Sequence, residues 1–200
     1  MKDAFFVVLK FLFAVLILPL VIASTFAFQN ELVKFEPALR DALSWGMFSY
    51  IILKFFVYDF GVVYTFGQRL VTAAFQFLKP LVNAAPYVFP VYSMLVLAVY
   101  AVMSWMGGLD TWRTVFLFLF SFTFSMHIIL TAQDLYNKDS SAGKPTYFFG
   151  MSLVYILDVF LMALLASLVL PGFSFPTFFN DLTGASGNIY KVVIGQLFKA

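Results

Sequence analysis

Residues 5–28 read FFVVLKFLFAVLILPLVIASTFAF, with Lys10 as their one formal charge. Crossing roughly 30 Å of hydrocarbon takes about 20 largely apolar residues in a helix, so this stretch is long enough to span a bilayer. Lys2 and Lys10 at its start and the small residues Ala23-Ser24-Thr25 near its end imitate a secretory signal. Its length exceeds what a signal core needs, and it is read as a retained first helix.

Working outward, four further windows meet the same requirement: residues 45–66, 87–106, 112–133 and 147–170. The expected fold class is all-α. The chain is read as one polytopic membrane bundle over residues 1–200, with five transmembrane helices. The alternative has four spans and lays the second window along the surface, because that window contains Lys54 and Asp59. Each would cost roughly 2.5–3.5 kcal/mol at the bilayer centre. Composition agrees with the class. Hydrophobic residues make up 62% of the chain and charged residues 11%, against about 45–50% and about 25% in soluble domains.

Residues 116–124 carry phenylalanine at every second position, a strand-like period. A lone strand leaves its backbone groups unsatisfied in lipid, so the window is read as a helix with phenylalanine on opposite faces. Gly107-Gly108-Leu109-Asp110-Thr111 joins the third and fourth windows, with glycine suited to a helix end and Asp110 to an N-cap. So short a link predicts antiparallel neighbours. Residues 134–145 read as a plain polar loop. Trp45, Trp105 and Trp112 fall at proposed span ends, as an interfacial aromatic belt requires, and Tyr64, Tyr87 and Tyr147 are placed with them.

Two amphipathic stretches are expected to lie at the interface. In residues 68–83 the stripe is Arg69, Thr72, Gln76, Lys79 and Asn83; in residues 188–199 it is Asn188, Lys191, Gly195 and Lys199. With five spans, six basic residues fall on the N-terminal side and five on the other. The positive-inside rule then places the N-terminus in the cytoplasm, with a plasma or bacterial inner membrane as the setting.

Ionisable groups inside spans are the candidate functional residues: Lys54, Asp59, His127 and Asp158. Snorkelling, a helix-end position or mutual pairing accounts for each of them without function. The pair Asp59 and Asp158 lacks the flanking glycines and the following Pro-Ala-Leu of intramembrane aspartyl proteases. Zinc, serine-hydrolase and phosphate-loop motifs are absent from the sequence, and a chain without cysteine has no thiolate metal ligand or cysteine nucleophile. No enzyme activity, cofactor or metal is expected, and no basic run points to nucleic acid. Ser121/Ser125 and Ala163/Ser167 are small-residue pairs that permit close helix approach. The expected function is that of a small membrane subunit or scaffold binding other membrane proteins, with the lipid bilayer as its other partner. The alternative is a secondary transporter or proton-coupled carrier using the intramembrane Asp and His residues.

His127 and Asp158 are expected to face one another, their depths differing by roughly 6 Å at about 1.5 Å per residue. Their pairing predicts that His127→Ala and Asp158→Ala are non-additive. The double replacement should recover part of the stability lost by either one, measured by thermal unfolding in detergent. Strict additivity would argue against contact.

Overall fold

A computed structural model describes residues 2–80, 82–107, 112–140 and 144–197. Every regular element among them is an α-helix: α1 (Lys2–Val33), α2 (Pro37–Phe56), α3 (Gly61–Ala74), α4 (Ala85–Val88), α5 (Val91–Trp105), α6 (Arg113–Lys138), α7 (Pro145–Val169) and α8 (Phe175–Leu197). Three segments are long and apolar enough to cross a membrane: Phe5–Val33, Arg113–Lys138 and Pro145–Val169. α2 and α3 pass the same test only as a pair bent by 119°. The chain is therefore all-helical with three to four candidate spans, as suits an integral membrane protein. The phenylalanine alternation sits inside α6, where Phe120 faces the core and the Phe118 and Phe122 rings stack at 6.3 Å.

Several expected boundaries move. Residues 45–66 are not one helix, because α2 stops at Phe56 and the chain turns before Gly61. Window 87–106 is broken at Phe89-Pro90, where proline lacks an N–H and Phe89 is extended. The helix that follows has 15 residues, about 22 Å at 1.5 Å per residue. The stretch 68–83 is helical only to Ala74 and then forms turns. Pro80 bars a continued helix there, and the Phe75 ring packs back on Phe89, tilted by 37° at 4.6 Å. Residues from 188 onward continue the 23-residue α8 rather than forming a separate short helix. Residues 198 and 199 lie outside the described part, as does Asp110. Gly107 ends α5 with φ +78°, the left-handed conformation expected of it. α6 runs five residues into the expected 134–145 loop, helped by a Lys138–Asp134 pair at 2.9 Å. Trp105 and Trp112 do stand exposed at helix ends, but Trp45 is exposed within α2 and Tyr64 is buried.

The chain packs as two compact units, Met1–Lys34 with Asp134–Ala200, and Phe35–Gln133. In the first, α7 runs beside α1 in the same direction. Lys10 Nζ donates to Thr146 Oγ1 (3.1 Å), and farther along the Thr25 and Tyr155 hydroxyls meet at 2.9 Å. α8 runs the opposite way, with Asn30 donating to Asp181 (3.1 Å) and Tyr190 Oη donating to the Leu16 carbonyl (2.6 Å). The buried faces are small: Ala14, Ala23, Ser24 and Ala27 on α1, Ala163 and Ala166 on α7. Small residues let helix backbones approach, and that closeness supplies the dispersion contact that replaces a hydrophobic driving force in lipid.

In the second unit, α5 lies antiparallel along the first half of α6, as the short link requires. The Ser93 and Thr123 hydroxyls meet at 3.1 Å, and the Tyr100 and Phe116 rings at 5.7 Å. α2 crosses α6 at Gly46, where an added Cβ would collide with the Phe118 carbonyl oxygen and Ser121 Oγ. Ser121, one of the small residues read from the sequence, thus takes part in a close approach, with Gly46 opposite it. Tyr50, Tyr64, Met126 and Leu130 form the core, with Phe60 tilted and Phe122 edge-on against Tyr50 at 5.5 Å each.

Glu31, fully buried, joins the two ends of the first unit. Its carboxylate pairs with Lys34 and accepts the Ser174 backbone N–H at 2.9 Å. Ser174 in turn caps α8, its Oγ accepting from the Thr177 backbone N–H at 3.4 Å and from Thr177 Oγ1 at 3.0 Å. A negative charge here also complements the α8 dipole. Lys34 keeps a 44% exposed side chain, so solvent can serve its charge without Glu31, whereas Glu31 has no such recourse. Lys34→Ala is therefore expected to cost about 3 kcal/mol and Glu31→Gln about 1 kcal/mol in detergent unfolding. Equal costs would refute the asymmetry.

Candidate functional site

The polar groups of the second unit collect where its helices are interrupted. α5 starts beside Thr123 of α6, roughly 15 Å along α6 from Arg113 at about 1.5 Å per residue. The chain before it, α3 through α4, packs against the next turns of α6. Gly67 makes this possible, since a Cβ there would come within 2.7 Å of the Tyr92 ring and 2.9 Å of Val91. Tyr92 Oη donates to the Val63 carbonyl at 2.6 Å, which fastens α5 to α3.

His127 sits in this region, 6% exposed, with Nε2 3.0 Å from the Tyr87 carbonyl oxygen. A carbonyl only accepts, so Nε2 carries a proton. The Tyr64 ring lies 6.2 Å away. Gln68 Nε2 donates to Tyr64 Oη at 2.8 Å, and Tyr64 Oη shares a hydrogen bond of 2.9 Å with Thr131 Oγ1. Gln68 and Tyr64 stand one turn apart on α3, and His127 and Thr131 one turn apart on α6, so two helix faces supply the cluster. The cavity between them is about 10 Å³, the lower limit for one water molecule. A solute larger than water does not fit there.

Beside it, and sharing Gln68 and Pro86 with it, opens a cleft of about 250 Å³ lined by Thr65, Gln68, Arg69, Thr72, Asn83 and Tyr87. Three of these, Arg69, Thr72 and Asn83, belong to the polar stripe read from the sequence. The chain reverses after Ala74, so the stripe becomes the facing walls of one cleft.

Lys54 and Asp59 are brought together, Nζ to Oδ1 at 3.3 Å, across the break between α2 and α3. Lys54 occupies the last turn of α2, and Asp59 Oδ1 also accepts the Gly61 N–H at 3.1 Å at the start of α3. Each charge complements the dipole of the helix end it stands on. The Asp59 side chain is 83% exposed. Asp158 is fully buried on α7 in the first unit, with Val159, Met162 and Ala163 buried around it in sequence. His127 belongs to the second unit, and the double-replacement cycle above remains the test of their pairing.

Sequence reading missed Glu31 and the Gln68–Tyr64–Thr131 chain. Glu31 lies just past the apolar window 5–28, and its one signal is that Glu31 and Lys34 stand at helical spacing. Tyr64 and Gln68 also carry an i, i+4 signal, hidden by placing Tyr64 in the aromatic belt. Among the described residues no three His, Asp or Glu side chains converge as a metal site needs. No protein-family model, curated protein or solved structure matches the chain.

Tyr64→Phe removes the hydroxyl between Gln68 and Thr131 and strands both partners. The expected cost is about 1–3 kcal/mol in thermal unfolding. Tyr64→Phe combined with Thr131→Val should cost less than the sum of the single replacements. A neutral Tyr64→Phe would show that the chain of hydrogen bonds does not support the fold.

Proposed function

We propose that the protein is a small integral membrane subunit that associates with other membrane proteins, offering them the outer face of α8. The observation that carries this reading is the character of that face. α8 follows α1 from Glu31 back to Leu16, a distance of roughly 22 Å at about 1.5 Å per residue. Its exposed positions include Asn180, Thr183, Gly184, Asn188 and Lys191. Polar and small side chains are poor lipid contacts and good helix contacts. A second apolar helix bearing hydrogen-bonding groups would match them.

The reading includes five crossings with a cytoplasmic N-terminus. α1 and α7 run side by side in one direction, so the chain between them makes an odd number of crossings. α6 alone gives three crossings in all. α6 together with the bent α2–α3 pair and α5 gives five, and the length of apolar sequence favours five. A reporter fused after Lys79 is expected on the side of the N-terminus; with three crossings it would lie on the opposite side.

Purification in mild detergent is expected to bring a partner of fixed stoichiometry. Gly184→Leu and Asn188→Leu should release it, and Leu168→Ala on α7 should not. Retention by all three variants would sink the subunit reading. The carrier reading rests on a different observation, the short α5 that begins at mid-length of α6 beside His127, since interrupted helices line transport sites. Liposomes containing this protein alone would then take up protons or solute in a His127-dependent manner.

A further inference from the structure

We propose that the open cleft between α3 and the turns before α4 binds a phosphate oxyanion, supplied by an anionic lipid headgroup. The cleft is about 250 Å³ and open to the surroundings, room for a small polar group with several waters. Arg69 is its one charged lining residue, and none of the lining residues is acidic. No hydrogen bond or ion pair ties Arg69 to another described residue. Its planar guanidinium, with five donors, is the side chain best suited to gripping two phosphate oxygens at once.

The other donors complete the site. Asn83 is exposed across from Arg69 and presents an amide with two N–H groups. Gln68 spends one amide N–H on Tyr64 and keeps the second. Thr65 and Thr72 donate their hydroxyl protons to the Gly61 and Gln68 carbonyls (2.8 Å each), so they contribute no donor to an anion. The site is thus a cation flanked by two amides. Its surroundings select the source of the phosphate. Phe66, one helical turn before Arg69, is 58% exposed, Leu70 is 42% exposed, and Phe77 is 77% exposed. A ligand with acyl chains covers these side chains, and a free phosphate does not. The proposal is independent of the subunit reading, since it uses no residue of α8.

The test uses the full-length protein in detergent, incubated with phosphatidylglycerol or phosphatidylcholine, and counts retained lipids by native mass spectrometry. Both lipids carry a phosphodiester, but choline's ammonium neutralises it and competes with Arg69, so wild type is expected to retain phosphatidylglycerol about tenfold more strongly. Arg69→Gln and Asn83→Asp should abolish that preference, and Lys79→Gln, outside the cleft, should preserve it. Thermal melts establish that each variant is folded, and the exposed Asn83→Asp keeps the test decisive if Arg69→Gln is not. Inorganic phosphate is titrated in parallel by calorimetry. Arg69-dependent phosphate binding without lipid preference would keep the oxyanion site and overturn its lipid source. Lipid preference that survives both cleft variants, or absence of both lipid preference and phosphate binding, overturns the proposal.

Discussion

Hydrocarbon offers no hydrogen-bond partners, so every backbone N–H and C=O within it has to be satisfied by the chain itself. That constraint explains why the described elements are all helices, and also why the breaks between them matter. At Val57–Phe60, at the turns after Ala74 and at Phe89-Pro90 the helical ladder stops. Each break draws polar side chains to it. The first has the Lys54–Asp59 pair, the second the Arg69 cleft, and the third the His127 contact with the Tyr87 carbonyl. Polar groups in this protein gather where the backbone is irregular, and the long helices α1, α6 and α7 provide the apolar mass that makes such places affordable.

The two units solve packing differently. The first sets alanine and serine on α1 and α7 at its closest faces and adds a ring cluster, Phe28, Phe160, Phe173 and Phe178, where α8 joins. Polar contacts at the ends of the α1 run, Lys10 with Thr146 and Glu31 with Ser174, then set its register. The second unit relies on rings around Tyr50 and Tyr64, with Gly46 and Gly67 at two contacts too tight for a Cβ. Aromatic packing tolerates short and bent helices because large flat side chains bridge uneven gaps.

Much of the helical class was legible in the sequence, because a long apolar run carries its meaning without tertiary context. Windows 5–28, 112–133 and 147–170 became parts of α1, α6 and α7, and Gly107 ended α5 as its lack of a side chain allows. The interruptions were harder to read. Pro90 announces a break, but the apolar residues around it outweigh it in a hydropathy window. The turn after Phe56 has no proline or glycine before Gly61, and its marker is the spacing of Lys54 and Asp59, which resembles an ordinary charged blemish in a span. Among the candidate residues, position inside an apolar window drew the eye to His127 and Asp158, both of which are buried, yet Tyr64, Gln68 and Thr131 are unremarkable one at a time. Their meaning comes from α3 and α6 lying face to face, which no local pattern encodes. Glu31 is similar, since its partner Ser174 is 143 residues away.

That separation bears on how the protein is made. α1 leaves the ribosome well before the helices it packs against, α7 and α8. The stretch Phe35–Gln133 is continuous and can pack while they are still being made. α1 therefore waits in the membrane with its alanine-lined face open and with Glu31 held by Lys34 alone. Arrival of the Ser174 amide ends the wait. A chain that stalls before residue 174 leaves the Glu31 carboxylate without the Ser174 N–H that it accepts in the finished fold.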